Sequence, residues 1–342
     1  MFYATHGKVL EVRFLPPSGS YLSFFSLKKS GVLMVGIKAI ASYIPERRVS
    51  NVDRAEEVGK EVDFIIGKVG FTSLQRKSDG EETSDLCVGA FDALLKKQPD
   101  IKREDIDCLI VVTQNPDGFG LPHTSAIVQH KLGLSENVAA FDVSLGCSGF
   151  VYGLDVIQAF MNAQGLQHGL LFTADPYSKV IDPLDYNTEL LFGDAAAVTY
   201  IAAQPIFISR KSTFSTNARL SHSIKVNEDT RVLSMLGNNV FKFAVTKVPA
   251  QIEQCLEQNG LEKSEVDLYL LHQGSKYIVD NLITALGVEA DKAPFLAAEI
   301  GNTVSSSIPL MLEQYMETGE KTILISGFGV GLSWATSILE RL

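Results

Sequence analysis

The stretch FDVSLGCSGFVYGLDVI (141–157) sets Cys147 between an apolar run that reads as a buried strand and a run that reads as an amphipathic helix. A cysteine at a helix start meets unpaired N–H groups and the positive end of the helix dipole, which favour a thiolate. Gly146, Ser148 and Gly149 leave little bulk beside the sulfur, so a substrate carbonyl has room to approach. The plainer reading of any one cysteine is a small buried hydrophobe. Cys87, Cys108 and Cys255 keep that reading, because each lies in an apolar face with no polar motif beside it.

Two further residues bear on the chemistry. His272 ends the apolar run LYLLH and opens the polar run QGSK, while Asn302 follows Gly301 and precedes Thr-Val-Ser-Ser-Ser. Singly, the first reads as a structural histidine and the second as a helix N-cap. Joined to Cys147 they read differently. Thiolates attack acyl groups, and thioester exchange suits them because the attacking and leaving groups are alike. A thiolate with a histidine and an asparagine, and no acidic third member, suits acyl transfer onto a carbon nucleophile. Two neutral donors would hold the oxygen of a malonyl-type thioester as it loses CO2 and becomes an enolate. The glycine-rich turn GFGVGLSW (327–334) is the natural source of backbone N–H groups for an oxyanion. It lacks the spacing and downstream acid of a dinucleotide fingerprint, and GCSG is not the elbow of a serine hydrolase.

What brings three such distant residues together is an internal repeat. LKKQPDIKREDIDCLIVVTQN (95–115) pairs with LEQNGLEKSEVDLYLLHQGS (256–275), AFDVSLGCSGFVYGLDVIQAFM (140–161) with PFLAAEIGNTVSSSIPLMLEQYM (294–316), and HGLLFTAD (168–175) with KTILISGF (321–328). The second pair reads as strand, glycine, polar residue, small residues and helix in both copies. Three echoes in one order at nearly constant offset argue for two copies of one αβ unit, far longer than a solenoid repeat. Strands alternating with helical patterns imply sheets covered by helices. A pseudo-twofold between the halves would place the Cys147 and Asn302 helix starts and the His272 strand end around one centre.

Composition narrows the rest. The chain has 342 residues, 46% of them apolar, and a formal net charge of −10, so no nucleic-acid partner is expected. No apolar run approaches the ~20 residues that cross a bilayer. Four cysteines without paired spacing argue against a disulfide framework or a metal site and for a reducing, cytoplasmic setting. Residues 1–33 carry Lys28 and Lys29 after the patch YLSFFSL, the wrong order for a secretory signal. They read as an extension outside the fold, with the first strand starting at MVGIKAIASYIP from Met34.

At the level of motifs, GCSGF, LHQGS and EIGNTVSSSIPL, with ETSDLCVGA (82–90), LLFGDAAAV (190–198), NNVFKFAV (238–245) and GFGVGLSW, resemble the β-ketoacyl-acyl carrier protein synthase III group of the thiolase superfamily over residues 34–342. The resemblance implies an α/β thiolase-like fold: duplicated βαβαβαββ halves, 34–205 and 206–342, in a five-layer α-β-α-β-α arrangement. It implies a homodimer without a cofactor, an acyl-CoA or acyl-carrier-protein starter, and a malonyl group on acyl carrier protein. By position, Cys147 would take the acyl group, His272 and Asn302 would assist decarboxylation, and the backbone N–H groups of Cys147 and Val330 would form the oxyanion hole. Leu121 would close the partner subunit's acyl pocket, and Phe241 would line the chain's own. Several positions depart from the group's pattern: Ser275 replaces an asparagine and Tyr277 a carrier-docking arginine next to Lys276. Tyr186, Phe64 and Lys68 stand where an arginine, a tryptophan and another arginine clasp coenzyme A. Simple transfer of the acyl group to an alcohol or amine, and a non-catalytic partner subunit, are the alternatives.

Overall fold

In the computed structural model the described residues are 35–342; the extension expected at 1–33 lies outside them. In chain order the first set of elements is β1 (Val35–Tyr43), β2 (Arg47–Ser50), α1 (Val62–Phe64), β3 (Ser73–Arg76), α2 (Thr83–Lys97), β4 (Cys108–Val112), α3 (Thr124–Lys131), β5 (Ala139–Val143), α4 (Gly149–Gln164), β6 (Gly169–Ala174), α5 (Tyr186–Glu189) and β7 (Ala196–Ala203). The second set is β8 (Phe207–Ser209), β9 (Thr213–Thr216), β10 (Ile224–Val226), β11 (Leu233–Met235), α6 (Gly237–Asn259), β12 (Leu268–Leu271), α7 (Lys276–Leu286), α8 (Ser307–Glu313), β13 (Thr322–Gly329) and β14 (Ser333–Arg341).

Ten strands form one mixed sheet in the order β12-β13-β14-β8-β1-β7-β6-β4-β5, with β9 on β14. β4 pairs parallel to β5 and β6, and β12 parallel to β13; β7 and β14 run antiparallel to their neighbours. A single residue pair, Ile37 with Phe207, joins β1 to β8 and so links the two sets.

The alternation of side chains along these strands creates the layers. In β4, Cys108, Ile110 and Val112 face an inner core, whereas Leu109 and Val111 face an outer one. In β12 the inner pair is Leu268 and Leu270, and the outer pair Tyr269 and Leu271. A register shift between Ile37 and Ala39 changes the parity of β1, so that Ile37 and Ile40 face inward and Ala39 and Ala41 outward. The inner core belongs to α4 and α8, one outer core to α2 and α3, and the other to α6 and α7. The result is helix, sheet, helix, sheet, helix.

Helix α4 is buried along Phe150, Val151, Leu154, Ile157 and Met161, a spacing that faces sheet residues on both sides. Its C-terminal stop is Gly165, whose φ of 70° is the left-handed conformation that favours glycine.

One expected strand is missing. The segment 294–300, the counterpart of β5, forms no ladder with β12. Pro294 has no N–H to offer, and the N–H of Leu296 donates to Gln273 Oε1 at 2.9 Å while Gln273 Nε2 donates to the Leu271 carbonyl at 2.8 Å. A glutamine side chain thus takes the place of the ladder. The carbonyls of Ala298 and Ile300 turn instead to the N–H groups of Thr72 and Gln75, at 2.7 and 3.0 Å.

Phe150 is wholly buried at the first turn of α4, three residues after Cys147. Phe150→Ala is expected to cost about 3–5 kcal/mol, seen as a lower denaturant midpoint at unchanged slope in equilibrium unfolding.

Candidate active site

Cys147, His272 and Asn302 line one cavity of about 880 Å3. All three lie at its buried end, with exposures of 7%, 3% and 5%. Each is delivered by backbone the core has already fixed. Cys147 lies in the turn between β5 and α4, held from the next residue by a Ser148–Ser333 hydroxyl contact of 3.0 Å. The His272 N–H donates to the Ser326 carbonyl of β13 at 2.9 Å, extending the β12 register by one residue. The Asn302 N–H donates to the Leu191 carbonyl at 2.8 Å, and its own carbonyl accepts from Gly193 N–H at 3.0 Å.

The side chains are oriented as tightly. Asn302 Oδ1 accepts from the Val304 N–H at 2.9 Å, which leaves the amide NH2 as the free donor. Val304 holds a φ of 54°, strained for a β-branched residue, and this kind of strain persists only where the surroundings enforce it. His272 Nδ1 sits 2.7 Å from Ser307 Oγ, and Phe328 meets the ring edge-on with centroids 5.4 Å apart. The last serine of the Ser-Ser-Ser run and the phenylalanine of the glycine-rich turn are therefore site residues that sequence reasoning passed over.

The glycine-rich turn approaches the Cys147 sulfur very closely. A Cβ on residue 329 would lie 2.6 Å from the Cys147 sulfur, so only glycine fits. The next residue, Val330, points its N–H at the sulfur, as Cys147 does with its own, and both pull the thiol pKa down. Burial wins: it pushes the thiol up to about 12, with the nearby Asp175 carboxylate adding to the rise. The expectation of an easily formed thiolate at the helix start is thus corrected for the closed site. The helix begins two residues later, at Gly149, and desolvation outweighs its N–H groups. Burial also lowers His272 to about 3, so the imidazole is neutral at physiological pH.

The remaining predicted positions divide. Phe64, Lys68, Tyr186, Phe241 and Ser275 line the cavity, with Phe64 at its exposed end. Ser275 also caps α7 by accepting from Ile278 N–H at 3.3 Å. Lys276 is outside the lining and pairs with Asp280 at 2.7 Å. Leu121 is 91% exposed and away from this chain's cavity. Tyr277 stacks on Phe241 at 4.9 Å, and the Lys68 ammonium lies 3.9 Å from the centre of its ring. Among the described residues no group of three His, Cys, Asp or Glu side chains is arranged to hold a metal.

A five-layer mixed α/β fold with these residues at the ends of equivalent strands and turns is the architecture of thiolase-type acyltransferases. Models of the C-terminal and the main segment of 3-oxoacyl-[acyl-carrier-protein] synthase III match residues 256–341 and 141–217. The β-ketoacyl-[acyl-carrier-protein] synthase III of Lactococcus lactis subsp. lactis is 35% identical over 323 residues, covering 89% of this chain and 98% of that one. The enzyme of that name from Streptococcus sanguinis is 34% identical over 322 residues, with the same shares covered. The solved structure of the Thermus thermophilus synthase III superposes with a TM-score of 0.83 at 29% identity over 90% of this chain and 99% of the other. A priming β-ketosynthase of the R1128 polyketide pathway does so at 0.82 and 25% identity, over 92% and 99%. The chain belongs to the β-ketoacyl-acyl carrier protein synthase III family.

Gly329→Ala is expected to leave the fold intact and to slow acylation of Cys147 by about a hundredfold, the usual cost of displacing a reacting atom by about 1 Å. Intact-protein mass spectrometry with a short acyl thioester reads this directly; acylation at the wild-type rate would show that the sulfur does not depend on the close approach.

Proposed function

We propose that this protein condenses an acyl thioester with a malonyl thioester carried on acyl carrier protein, with Cys147 as the acyl acceptor. In the first half-reaction the Cys147 sulfur attacks the starter carbonyl, the carrier thiol leaves with the thiol proton, and an acyl-cysteine remains. The N–H groups of Val330 and Cys147 hold the oxyanion. In the second, the malonyl group loses CO2, and its carbanion attacks the acyl carbon and expels the Cys147 sulfur. Asn302 Nδ2 and His272 Nε2–H donate to the enolate oxygen, the histidine tautomer being set by Ser307 donating to Nδ1.

The observation that carries this reading is the pair of neutral donors beside the thiol. A histidine held neutral near 3 is unsuited to form a thiolate–imidazolium pair, but it suits donation to charge that develops only in the transition state. Asn302, with its oxygen occupied by Val304, presents only its donor.

The family names point to acyl carrier protein as a partner; in this reading the starter arrives as acyl-CoA or on acyl carrier protein. We take the halves as 34–205 and 206–342 and the assembly as a homodimer. In support, Phe119 and Leu121 stand 85% and 91% exposed on one loop, and β5 closes the sheet with only partly buried Ala139, Ala140, Phe141 and Val143. All four cysteines are free, which suits the cytoplasm.

Wild-type enzyme given starter and malonyl thioesters is expected to release CO2 and to show one acyl mass on Cys147, and Cys147→Ala to show no adduct. Asn302→Ala should keep the adduct and lose CO2 release by about a hundredfold, as for removal of one oxyanion donor. An adduct in Cys147→Ala, or acyl transfer to an alcohol without CO2 release, would replace the reading.

A further inference from the structure

A buried carboxyl whose charge acts on the Cys147 sulfur is used by neither half-reaction. Asp175, just after β6, is 1% exposed. Its Oδ1 accepts from Asn115 Nδ2 at 2.8 Å and from the Gln114 N–H at 3.2 Å, while its Oδ2 is buried without a partner. Gln114 connects this carboxyl to the site. Its Oε1 accepts from the Tyr177 hydroxyl at 3.5 Å and would lie 2.7 Å from a Cβ on Gly146, the neighbour of Cys147. Tyr177 lines the cavity with Cys147 and packs in the same apolar cluster.

An orphan carboxylate oxygen in a dry cluster is costly, and a half-satisfied buried acid calls for a reason. The reaction supplies one. Condensation brings in the negative charge of a malonyl carboxylate, releases neutral CO2, and leaves the electron pair of the broken C–S bond on sulfur. One proton must then enter from water to restore the thiol. Two negative charges cannot share this cluster cheaply.

We propose that Asp175 is a positioning residue acting through the charge of the nucleophile: it is protonated whenever the Cys147 sulfur is anionic and ionises once the sulfur is neutral. The inference rests on Cys147 being the nucleophile. The charged and titratable groups around the carboxyl leave it alone in the neutral range. Burial raises Asp175 to about 7, whereas Tyr177 lies far above that and His272 near 3. Lys179, the cation whose charge acts on this carboxyl, is held by Glu82 at 2.6 Å and the Pro116 carbonyl at 2.7 Å.

The test is the pH profile of Cys147 alkylation by iodoacetamide, followed by peptide mass spectrometry. Below the Asp175 pKa, the wild-type rate should rise tenfold per pH unit, as the thiolate fraction does. Just above about pH 7 it should level into a plateau, because each increment of pH removes the Asp175 proton that the thiolate requires. Asp175→Asn should rise without a plateau, agreeing with wild type near pH 6 and running about tenfold faster near pH 8. A wild-type profile of unit slope through this range, or a variant displaced by one factor at every pH, would overturn the proposal. Should Asp175→Asn fail to fold, the wild-type profile still decides, and Asn115→Ala must move the plateau to higher pH by removing a donor that favours the ionised acid. Acylation of Cys147 by a starter thioester, run in parallel, reports separately whether Cys147 is the nucleophile at all.

Discussion

The contact between the Cys147 sulfur and the backbone of residue 329 is the constraint around which the molecule is arranged. The sulfur comes from the turn into α4, and residue 329 from the end of β13, elements that belong to different sets and meet across the inner core. That approach holds only if α4 is seated to within a fraction of an ångström. Its two-sided burial between β4 and β6 on one hand and β13 and β14 on the other provides this seating. A close-packed interior transmits such positioning because it has no slack to absorb a shift. The same turn that spares the sulfur a Cβ points the Val330 N–H at it, so room beside the sulfur and a donor toward it come from one piece of backbone.

Burial then sets the electrostatics. A thiol raised to about 12 and an imidazole lowered to about 3 are shifted in opposite directions by one cause, the exclusion of water. The thiol and the imidazole are therefore both neutral at rest, and charge appears on the reacting groups only as bonds are made and broken. Fixed donors in a dry cavity act most strongly on charge of that kind, and they need no reorganisation when it forms. The strain at Val304 is consistent with this arrangement, since it holds Asn302 in one orientation before any substrate arrives.

Much of this was legible in the residues, for identifiable reasons. Strands β4, β6, β12 and β13 announce themselves as apolar runs because both of their faces are covered. The internal repeat singled out the three residues that share the cavity, because duplicated topology turns sequence offset into proximity. Three features were hidden. The missing strand at 294–300 depends on a glutamine side chain intercepting a backbone N–H, a contact with no local pattern. The direction of the thiol shift depends on how completely the turn is enclosed, which a helix-start motif does not report. Ser307 and Asp175 lie inside the repeated segments 294–316 and 168–175, but the groups they meet, His272 for the first and Asn115 and Gln114 for the second, are distant in sequence and follow no local pattern.

The two ends of the cavity answer to different pressures. At the buried end the Asn302 side chain is tied to the Val304 backbone and that of His272 to the Ser307 hydroxyl, so a change at one residue disturbs its neighbours. At the exposed end Lys68, Phe241 and Tyr277 interact with one another, Lys68 over the Tyr277 ring and Tyr277 flat on Phe241, while Phe64 meets the Lys60 ammonium. Such a cation–aromatic stack contributes on the order of 0.5–1 kcal/mol at an exposed site. It is rearranged or replaced at little cost to the fold. The positions read from the sequence as departing from the resembled pattern, 64, 68, 186, 275 and 277, all line the same cavity as Cys147, His272 and Asn302. The exposed end is thus the part of the cavity where a side chain is exchanged at least cost, because the core does not need these residues.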